Sequence, residues 1–287
     1  MANVAIDTVI TDMDGTLLVK KGDQIHPFNK EVLMEWQKKG KKLFLATGRL
    51  DLAILPFIHE LNIKTPVISC NGGLVRDFTT GEILYKSNIE LDLIHTVLET
   101  LEPLDVNYHI YTTERILGPS NTGKIAFFNE LNKTLPENEQ VPITLTTDPF
   151  SVLREGEFPL KVLVIESDLE KRAEIKAALE GLPLSVLASA SNLIDIMNEG
   201  IDKAKGLTYL AEHGYINLDS TIAFGDNEND VGMIELAEIG VAMENGIPLA
   251  IEKADKIAKH HDIGGLGLFM QEEILQEKEP LDNISLI

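Results

Sequence analysis

Short apolar runs alternate with segments of helical period in the first quarter of the chain. Each run ends at polar or turn-forming residues, and the first helical segment begins at a proline and ends at a glycine. The pattern predicts strands over 4–12, 41–47 and 66–70, with helices over 27–40 and 50–61. Pro56 lies inside the second helix and is expected to bend it. Such strand–helix–strand repetition predicts a parallel sheet covered by helices.

The same rhythm returns near the C-terminus, where the pattern predicts strands over 220–226 and 240–243 and helices over 228–238 and 247–254. Residues 83–191 differ, because alternating strands are mixed there with two helices and with turn-rich stretches at 118–123 and 136–142. This change of pattern indicates a second domain that interrupts the first. One continuous large sheet is the alternative.

The predicted fold class is therefore α/β. We expect a Rossmann-like parallel-sheet core formed by residues 1–82 and 192–287, with an α+β domain inserted over residues 83–191. The change of pattern places the two hinges near 80–86 and 188–195. The acidic tail after about residue 276 is expected to fray.

Composition narrows the class of protein. The chain has 287 residues, of which 44% are hydrophobic and 25% charged, as in a globular protein with an adequate core. No apolar stretch reaches the length of a membrane span, and the N-terminus lacks the basic flank of a signal peptide. The single cysteine, Cys70, excludes an internal disulfide framework and a cysteine-rich zinc site. Together these features favour a cytoplasmic protein.

Net charge narrows the class of partner. The formal charge of −21 argues against nucleic acid and anionic membranes as partners, since both require clustered lysine and arginine. An acidic protein that handles an anionic substrate needs local positive charge, which a metal cation can supply. The sequence does not indicate the oligomeric state.

Two aspartates follow the first predicted strand in "VITDMDGTLL". Asp12 and Asp14 would face the same way in an extended chain, and Gly15 allows a turn directly after them. Two adjacent carboxylates are costly unless a cation lies between them, and Mg²⁺ binds one or two carboxylates together with phosphate oxygens. The alternative is a solvated turn, because aspartate and glycine are common turn residues.

Other strand ends carry complementary groups. Thr47 and Gly48 end the second strand in "LFLATGR", where a hydroxyl and a backbone N–H could bind an anion, although a threonine there could equally cap the next helix. The acidic cluster "DNEND" (226–230) follows a later strand and suggests a metal site. Lys203 and Lys205 begin a helix, where the helix dipole disfavours cations unless an anion is bound nearby. Two surface lysines are the alternative.

These residues form four motifs in a fixed order: "DMDGT" (12–16), the threonine of "ATGR" (46–49), the lysine of "GIDKAKG" (200–206) and "GDNEND" (225–230). The set resembles the haloacid dehalogenase (HAD) superfamily, and in particular the Cof-type, sugar-phosphatase-like hydrolases with a large α+β cap. "NGG" (71–73) and "GVAMENGIPLAIEKADKI" (240–257) also resemble segments of that family. The resemblance covers both halves of the core, whereas the cap corresponds only in position and length.

The resemblance implies a HAD-like fold and a Mg²⁺-dependent phosphatase that acts on small phosphorylated metabolites, sugar phosphates above all. Asp12 would be the nucleophile that forms an aspartyl-phosphate, and Asp14 the general acid and base. The Asp12 and Asp226 side chains and the Asp14 backbone carbonyl would bind Mg²⁺, with Asp230 completing or orienting that shell. The phosphoryl group would be bound by Thr47, Gly48, Lys203 and Asn229.

One departure concerns the lysine. In the family pattern a glycine follows the lysine, whereas here Ala204 follows and the glycine is Gly206, which makes Lys205 a rival. Lys203 is preferred because its spacing after Gly200 matches the pattern. Two further functions stay open: a phosphomutase of the phosphomannomutase type, and a non-catalytic phospho-receiver or binding module.

Overall fold

The computed structural model describes residues 5–19 and 24–275 of the chain, so the C-terminal tail considered above lies outside the described residues. The strands are β1 (Thr8–Thr11), β2 (Lys42–Leu45), β3 (Val67–Ser69), β4 (Leu74–Arg76), β5 (Ile83–Lys86), β6 (Asn107–Thr112), β7 (Ile116–Gly118), β8 (Ile143–Leu145), β9 (Pro159–Ile165), β10 (Leu184–Ala190), β11 (Leu193–Asn198), β12 (Thr221–Gly225), β13 (Ile239–Met243) and β14 (Lys256–Ala258). The α-helices are α1 (Pro27–Lys38), α2 (Leu55–Glu60), α3 (Leu91–Leu101), α4 (Gly123–Asn132), α5 (Leu169–Ala178), α6 (Lys203–Glu212), α7 (Val231–Leu236), α8 (Pro248–Lys253) and α9 (Gly265–Phe269).

Five strands form the parallel sheet of the core, in the order β14-β13-β12-β1-β2. β1 and β12 lie side by side although more than 200 residues separate them, and Thr11 pairs with Phe224 at their carboxyl ends. The central strands β1 and β12 are short and buried along their whole length, as parallel strands covered by helices must be. Their carboxyl ends meet at one edge, where a ligand binds in sheets of this type.

The third predicted strand joins a different sheet. β3 pairs with β4 in an antiparallel hairpin, and β5 extends that small sheet. Only an isolated parallel bridge between Ala46 and Ile68 connects β3 to the parallel sheet. The hairpin forms because "NGG" turns the chain back directly after β3, with Asn71 and Gly72 at positive φ.

The inserted domain, here called the cap, is a six-stranded sheet in the order β10-β11-β9-β6-β7-β8, antiparallel except for the β7–β8 pair. Its side chains alternate between two faces. Ile110, Val162 and Ile196 pack on one face against α3 and α5. Tyr111 and Leu163 lie on the opposite face and join Leu50 and Leu74 of the core in one buried apolar cluster. The cap therefore rests on the core through an apolar contact.

The structure confirms an α/β core with an inserted α+β cap, and it corrects several details. Pro56 does not bend a continuous helix, because a 3₁₀ turn over Asp51–Ile54 precedes it and α2 has Pro56 in its first turn. α4 begins at the end of a stretch expected to be turn-rich, which gives the cap a third helix.

The domain boundaries also move. β5 belongs to the hairpin sheet of the core, whereas β11 belongs to the cap sheet, in which Asp195 pairs with Leu163. The chain therefore crosses between the domains at 87–90 and 199–202. The cap boundaries expected at 83 and 191 therefore assign β5 and β11 to the wrong domain. Strands of the core and of the cap have the same two-residue period, so the pattern could not show to which sheet each strand belongs. Within 5–19 and 24–275, no helix is both long and apolar enough to span a membrane.

Candidate active site

The loop after β1 places the first aspartate at the carboxyl edge of the parallel sheet. Asp12 keeps an extended backbone and is 5% exposed. The chain turns at Gly15, whose φ is +86°, and a Cβ there would lie 2.5 Å from the Asp226 Oδ2 atom. Glycine is therefore required at this position for two reasons, the positive φ and the close approach of the two loops.

Lys203 joins the loops that follow β1 and β12. Its side chain is fully buried at the first position of α6, and its ammonium group donates to Asp12 Oδ1 and, over 2.5 Å, to Asp230 Oδ1. Burial alone would lower the pKa of Lys203, but the two carboxylates outweigh it and hold that pKa above its usual value. The two carboxylates also offset the unfavourable helix dipole.

The acidic cluster after β12 is organised by hydrogen bonds. Asp226 Oδ1 accepts from the Thr16 hydroxyl at 2.8 Å, and Asp230 Oδ2 accepts from the backbone N–H groups of Asp226 and Asn227, each at 2.9 Å. Burial, and then the nearby Asp230 charge, raise the pKa of Asp226 to about 7. Burial likewise raises the pKa of Asp12, although the Lys203 charge opposes that change.

Three of these carboxylates could share one metal ion. Oxygens of Asp12, Asp226 and Asp230 lie within 4.8 Å of one another. Asp12 Oδ2 and Asp226 Oδ2 accept no hydrogen bond from the described residues, whereas both oxygens of Asp230 are engaged. Hard carboxylate oxygens are the ligands that Mg²⁺ prefers, so this donor set fits that ion.

The second aspartate of the first motif is held by an arginine. Arg49 donates to both Asp14 oxygens, from Nε over 2.7 Å and from Nη2 over 2.6 Å. Burial by itself would raise the pKa of Asp14, but the Arg49 charge and its two hydrogen bonds lower it overall. Asp14 is therefore ionised in this arrangement, although its side chain remains 49% exposed.

The loop after β2 lies beside the paired aspartates. Thr47 is buried, and its hydroxyl accepts from the Arg49 N–H at 3.1 Å. A Cβ at Gly48 would lie 2.7 Å from Asn71 Oδ1, so this loop and the "NGG" turn pack closely. Asn71 Oδ1 in turn accepts from Asn229 Nδ2 at 2.8 Å, and the buried Asn229 Oδ1 has no partner among the described residues.

Two charged residues of the cap reach the same place. Lys161 of β9 and Asp195 of β11 form a buried ion pair, with Nζ 2.9 Å from Oδ1. Lys161 also donates to the Gly48 carbonyl, and Asp195 accepts from Asn71 over 2.5 Å. Cap and core are therefore joined by hydrogen bonds on either side of one ion pair.

A cavity of about 290 Å³ opens between the two domains. Asp12, Asp14, Gly48, Arg49 and Asn229 line its core side. The residues that line its opposite side form the surface called here the cap face: Tyr111, Lys124, Phe127, Phe128, Lys161, Leu163, Ser189, Ala190 and Leu193. The volume suits a small metabolite.

The predicted site residues converge at this position. Lys203 contacts two of the predicted aspartates directly, whereas its rival Lys205 is exposed. Asp14, Gly48 and Asn229 line the cavity. Thr47 is buried next to Gly48 and does not line the cavity.

Several residues of the site were not predicted. Lys161 in "PLKVLVI" and Asp195 in "NLIDIMN" are opposite charges within apolar strand patterns, and that contrast was the available signal. Arg49 was visible directly after Thr47 and Gly48, but nothing in its spacing named Asp14 as its partner. Lys124 carried no signal in the sequence.

The sequence profile of the haloacid dehalogenase-like hydrolases matches residues 9–270. The chain belongs to this family. It is 26% identical to the pyridoxal phosphate phosphatase YbhA of Escherichia coli, over 93% of this chain and 98% of that one. It is 27% identical to the 5-amino-6-(5-phospho-D-ribitylamino)uracil phosphatase YwtE of Bacillus subtilis, over 92% and 96% of the two chains.

A solved structure of a haloacid dehalogenase-like hydrolase from B. subtilis superposes with a TM-score of 0.80, at 26% identity, over 93% of this chain and all of that one. Profile, relatives and fold together identify a HAD-type phosphatase, a phosphoric monoester hydrolase. The four motifs described above lie in the loops that form the site of this HAD-type phosphatase.

Proposed function

We propose that this HAD-type phosphatase hydrolyses small phosphorylated metabolites with Mg²⁺, through a phosphoryl group carried on Asp12. The observation that supports it most directly is the fully buried Lys203 ammonium between Asp12 and Asp230. A cation fixed against an aspartate that lines the cavity can neutralise charge on a transferred phosphoryl group. Phosphoryl transfer depends mainly on such positioning and neutralisation.

Asp12 Oδ2 and Asp226 Oδ2 would bind the metal, together with the Asp14 backbone carbonyl, and Asp230 would hold Lys203 and the loop in place. When bound, Mg²⁺ supplies positive charge that stabilises the phosphoryl oxygens. Thr47, Gly48 and Lys203 would contact those oxygens. At the geometry of this site Asn229 presents a carbonyl oxygen, which suits a water or a protonated phosphoryl oxygen.

In the first step an Asp12 oxygen bonds to phosphorus while the bond from phosphorus to the ester oxygen breaks. Asp14 gives its proton to the departing alkoxide. In the second step Asp14 removes a proton from water, the water oxygen attacks phosphorus, and phosphate leaves Asp12. Because the Arg49 pair keeps Asp14 ionised, the acid role requires that pair to separate when the substrate enters and Asp14 to take up a proton from solvent before the first step.

Replacement of Asp12 tests the nucleophile. We expect Asp12→Asn to lower kcat for a generic aryl phosphate by about 10⁴-fold or more. The exposed Asp92→Asn variant serves as the control and should keep wild-type turnover. Retained turnover in Asp12→Asn would contradict the assignment.

Cofactor and reaction type need separate measurements. Treatment with a chelator should abolish turnover, and added Mg²⁺ should restore it. Release of free phosphate from a sugar phosphate, without isomerisation of the sugar, would separate hydrolysis from phosphomutase activity. Binding of a phosphate ester without any turnover would favour the non-catalytic module.

A further inference from the structure

The cations around the cavity differ in whether they have a partner. Lys203 contacts Asp12 and Asp230, Arg49 contacts Asp14, and Lys161 contacts Asp195. Lys124 lines the same cavity, yet its ammonium group has neither a carboxylate nor another hydrogen-bond acceptor among the described residues. A half-buried cation without a carboxylate partner is costly and is available to an anion that enters the cavity.

The position of Lys124 is not explained by the stability of its own helix. It is the second residue of α4, where the helix dipole disfavours a positive charge. Burial lowers the pKa of Lys124, the Asp14 charge opposes this most strongly, and the Arg49 and Lys161 charges add to the lowering while Asp195 opposes it. A ligand that brings negative charge would relieve both costs.

Lys124 lies on the leaving-group side of the cavity. It belongs to α4 of the cap, whereas Asp12 lines the opposite, core side of the same cavity. Asp14 is the residue proposed to protonate the leaving alcohol. The group that Lys124 can reach is therefore a part of the leaving alcohol and not the phosphoryl group.

Aromatic and apolar side chains form one wall of the cavity beside Lys124. Phe127 is 39% exposed and lies under the Lys124 ammonium at 5.8 Å, with Phe128 at its edge, 5.2 Å between ring centroids. Tyr111 and Leu163 continue this wall. A flat ring could stack on this wall at little cost.

We propose that the cap face selects a phosphate ester of a planar aromatic alcohol that carries an anionic oxygen substituent, with Lys124 as the specificity-determining residue. This rests on the phosphatase function proposed above and narrows its substrate class, in place of the sugar phosphates that the resemblance implied. Phe127 supplies the stacking surface, and Lys124 binds the anionic substituent.

The experiment compares three esters: 3-carboxyphenyl phosphate, phenyl phosphate and glucose 6-phosphate. For the wild-type protein we expect kcat/KM to be about tenfold or more higher for the carboxylated ring than for the plain ring, as for a hydrogen bond between charged groups. Because each variant is compared with the wild type on the same pair, intrinsic reactivity cancels.

Lys124→Met should reduce the carboxyphenyl-to-phenyl ratio to near one, and Lys124→Arg should restore most of it. Lys133→Met, an exposed lysine at the end of the same helix, is the matched control and should keep the wild-type ratio. Phe127→Leu should lower kcat/KM for both aryl esters relative to glucose 6-phosphate.

The outcomes separate the two proposals. A wild-type protein that hydrolyses none of the esters would overturn the phosphatase function itself. Active protein that prefers the sugar phosphate, or a ratio unchanged in Lys124→Met, would overturn the inference about the cap face alone. A fall of equal size for both aryl esters in Lys124→Met would place Lys124 at the phosphoryl group and also overturn it.

Discussion

The two sides of the cavity are built on different principles. The core side collects its charges from loops at the carboxyl ends of parallel strands, as Asp12 and Asp226 show. The cap side takes its groups from the middle of antiparallel strands and from one helix, as Lys161, Asp195 and Lys124 show. The residues proposed for the chemistry therefore lie in contiguous motifs, whereas the surface proposed for recognition combines a sheet face and one helix whose members are scattered along the chain.

The difference extends to how charge is balanced. On the core side one lysine neutralises two carboxylates directly, and a metal ion is proposed to neutralise the rest. On the cap side Lys161 and Asp195 neutralise each other, and Lys124 has no carboxylate partner among the described residues. The core side is thus prepared for a phosphoryl group, and the cap side keeps one charge available to a ligand.

The largest expected effect concerns the core side. Lys203→Met leaves Asp12 and Asp230 buried without a counter-charge, so we expect the free energy of unfolding to fall by about 3–5 kcal/mol. Loss of the cation at the phosphoryl group should also lower kcat/KM by about 10³-fold. Urea denaturation and steady-state kinetics with Mg²⁺ measure both.

Lys205→Met is the matched control, since this lysine lies two residues away and is exposed. Its stability should stay within about 0.5 kcal/mol of the wild type. Equal losses in the two variants would show that the contrast between Lys203 and Lys205 is wrong.

The next effect tests the ion pair of the cap. Asp195→Asn leaves the Lys161 charge buried without its carboxylate, which should cost about 3 kcal/mol of stability in urea denaturation. Lys161→Met combined with Asp195→Leu should cost less than the single change, because no unpaired charge remains. If the double variant is the less stable of the two, the pair serves a purpose other than charge balance.

The third effect concerns the dependence of stability on pH. A fall in pH is expected to lower stability through His109 of the cap and to raise it through Asp226 of the core. His109 of the cap is fully buried, and neither ring nitrogen meets hydrogen-bond geometry with the described residues. Burial lowers the pKa of His109 from 6.5 to about 4, an effect that the backbone of Thr122 offsets in part. Between pH 6.5 and about 4, the unfolded chain therefore binds a proton at His109, whereas the folded protein does not.

Above pH 6.5, His109 is neutral in the folded and the unfolded states, and it costs no stability. As pH falls from 6.5 towards 4, the free energy of unfolding decreases, by about 3 kcal/mol at the limit. Asp226 acts in reverse in metal-free buffer, because its raised pKa, about 7, favours folding at low pH and that gain is lost as pH rises through 7. His109→Leu should remove the first dependence, whereas the exposed His95→Gln should not. Denaturation at a series of pH values checks this, and an unchanged slope in His109→Leu would refute it.

Most of the fold could be predicted from the sequence because strands and helices of the core have distinct periods. β1, β2 and β12 appear where the apolar runs are, shortened at their ends. The pairing of β11 could not be predicted, since its alternating pattern is equally compatible with the core sheet and the cap sheet. The structure places β11 in the cap sheet, where its two edges pair with β9 and β10.

The sequence by itself determined that Asp12, Thr47 and Asp226 follow strands whose ends meet, because in a parallel sheet all carboxyl ends lie at one edge. Only the tertiary structure decided which charges pair. Arg49 with Asp14, and Lys161 with Asp195, depend on distances between loops and strands that no local pattern encodes. The cap face likewise exists only when the cap rests on the core, since residues of β6, α4 and β9 reach one cavity through long-range packing.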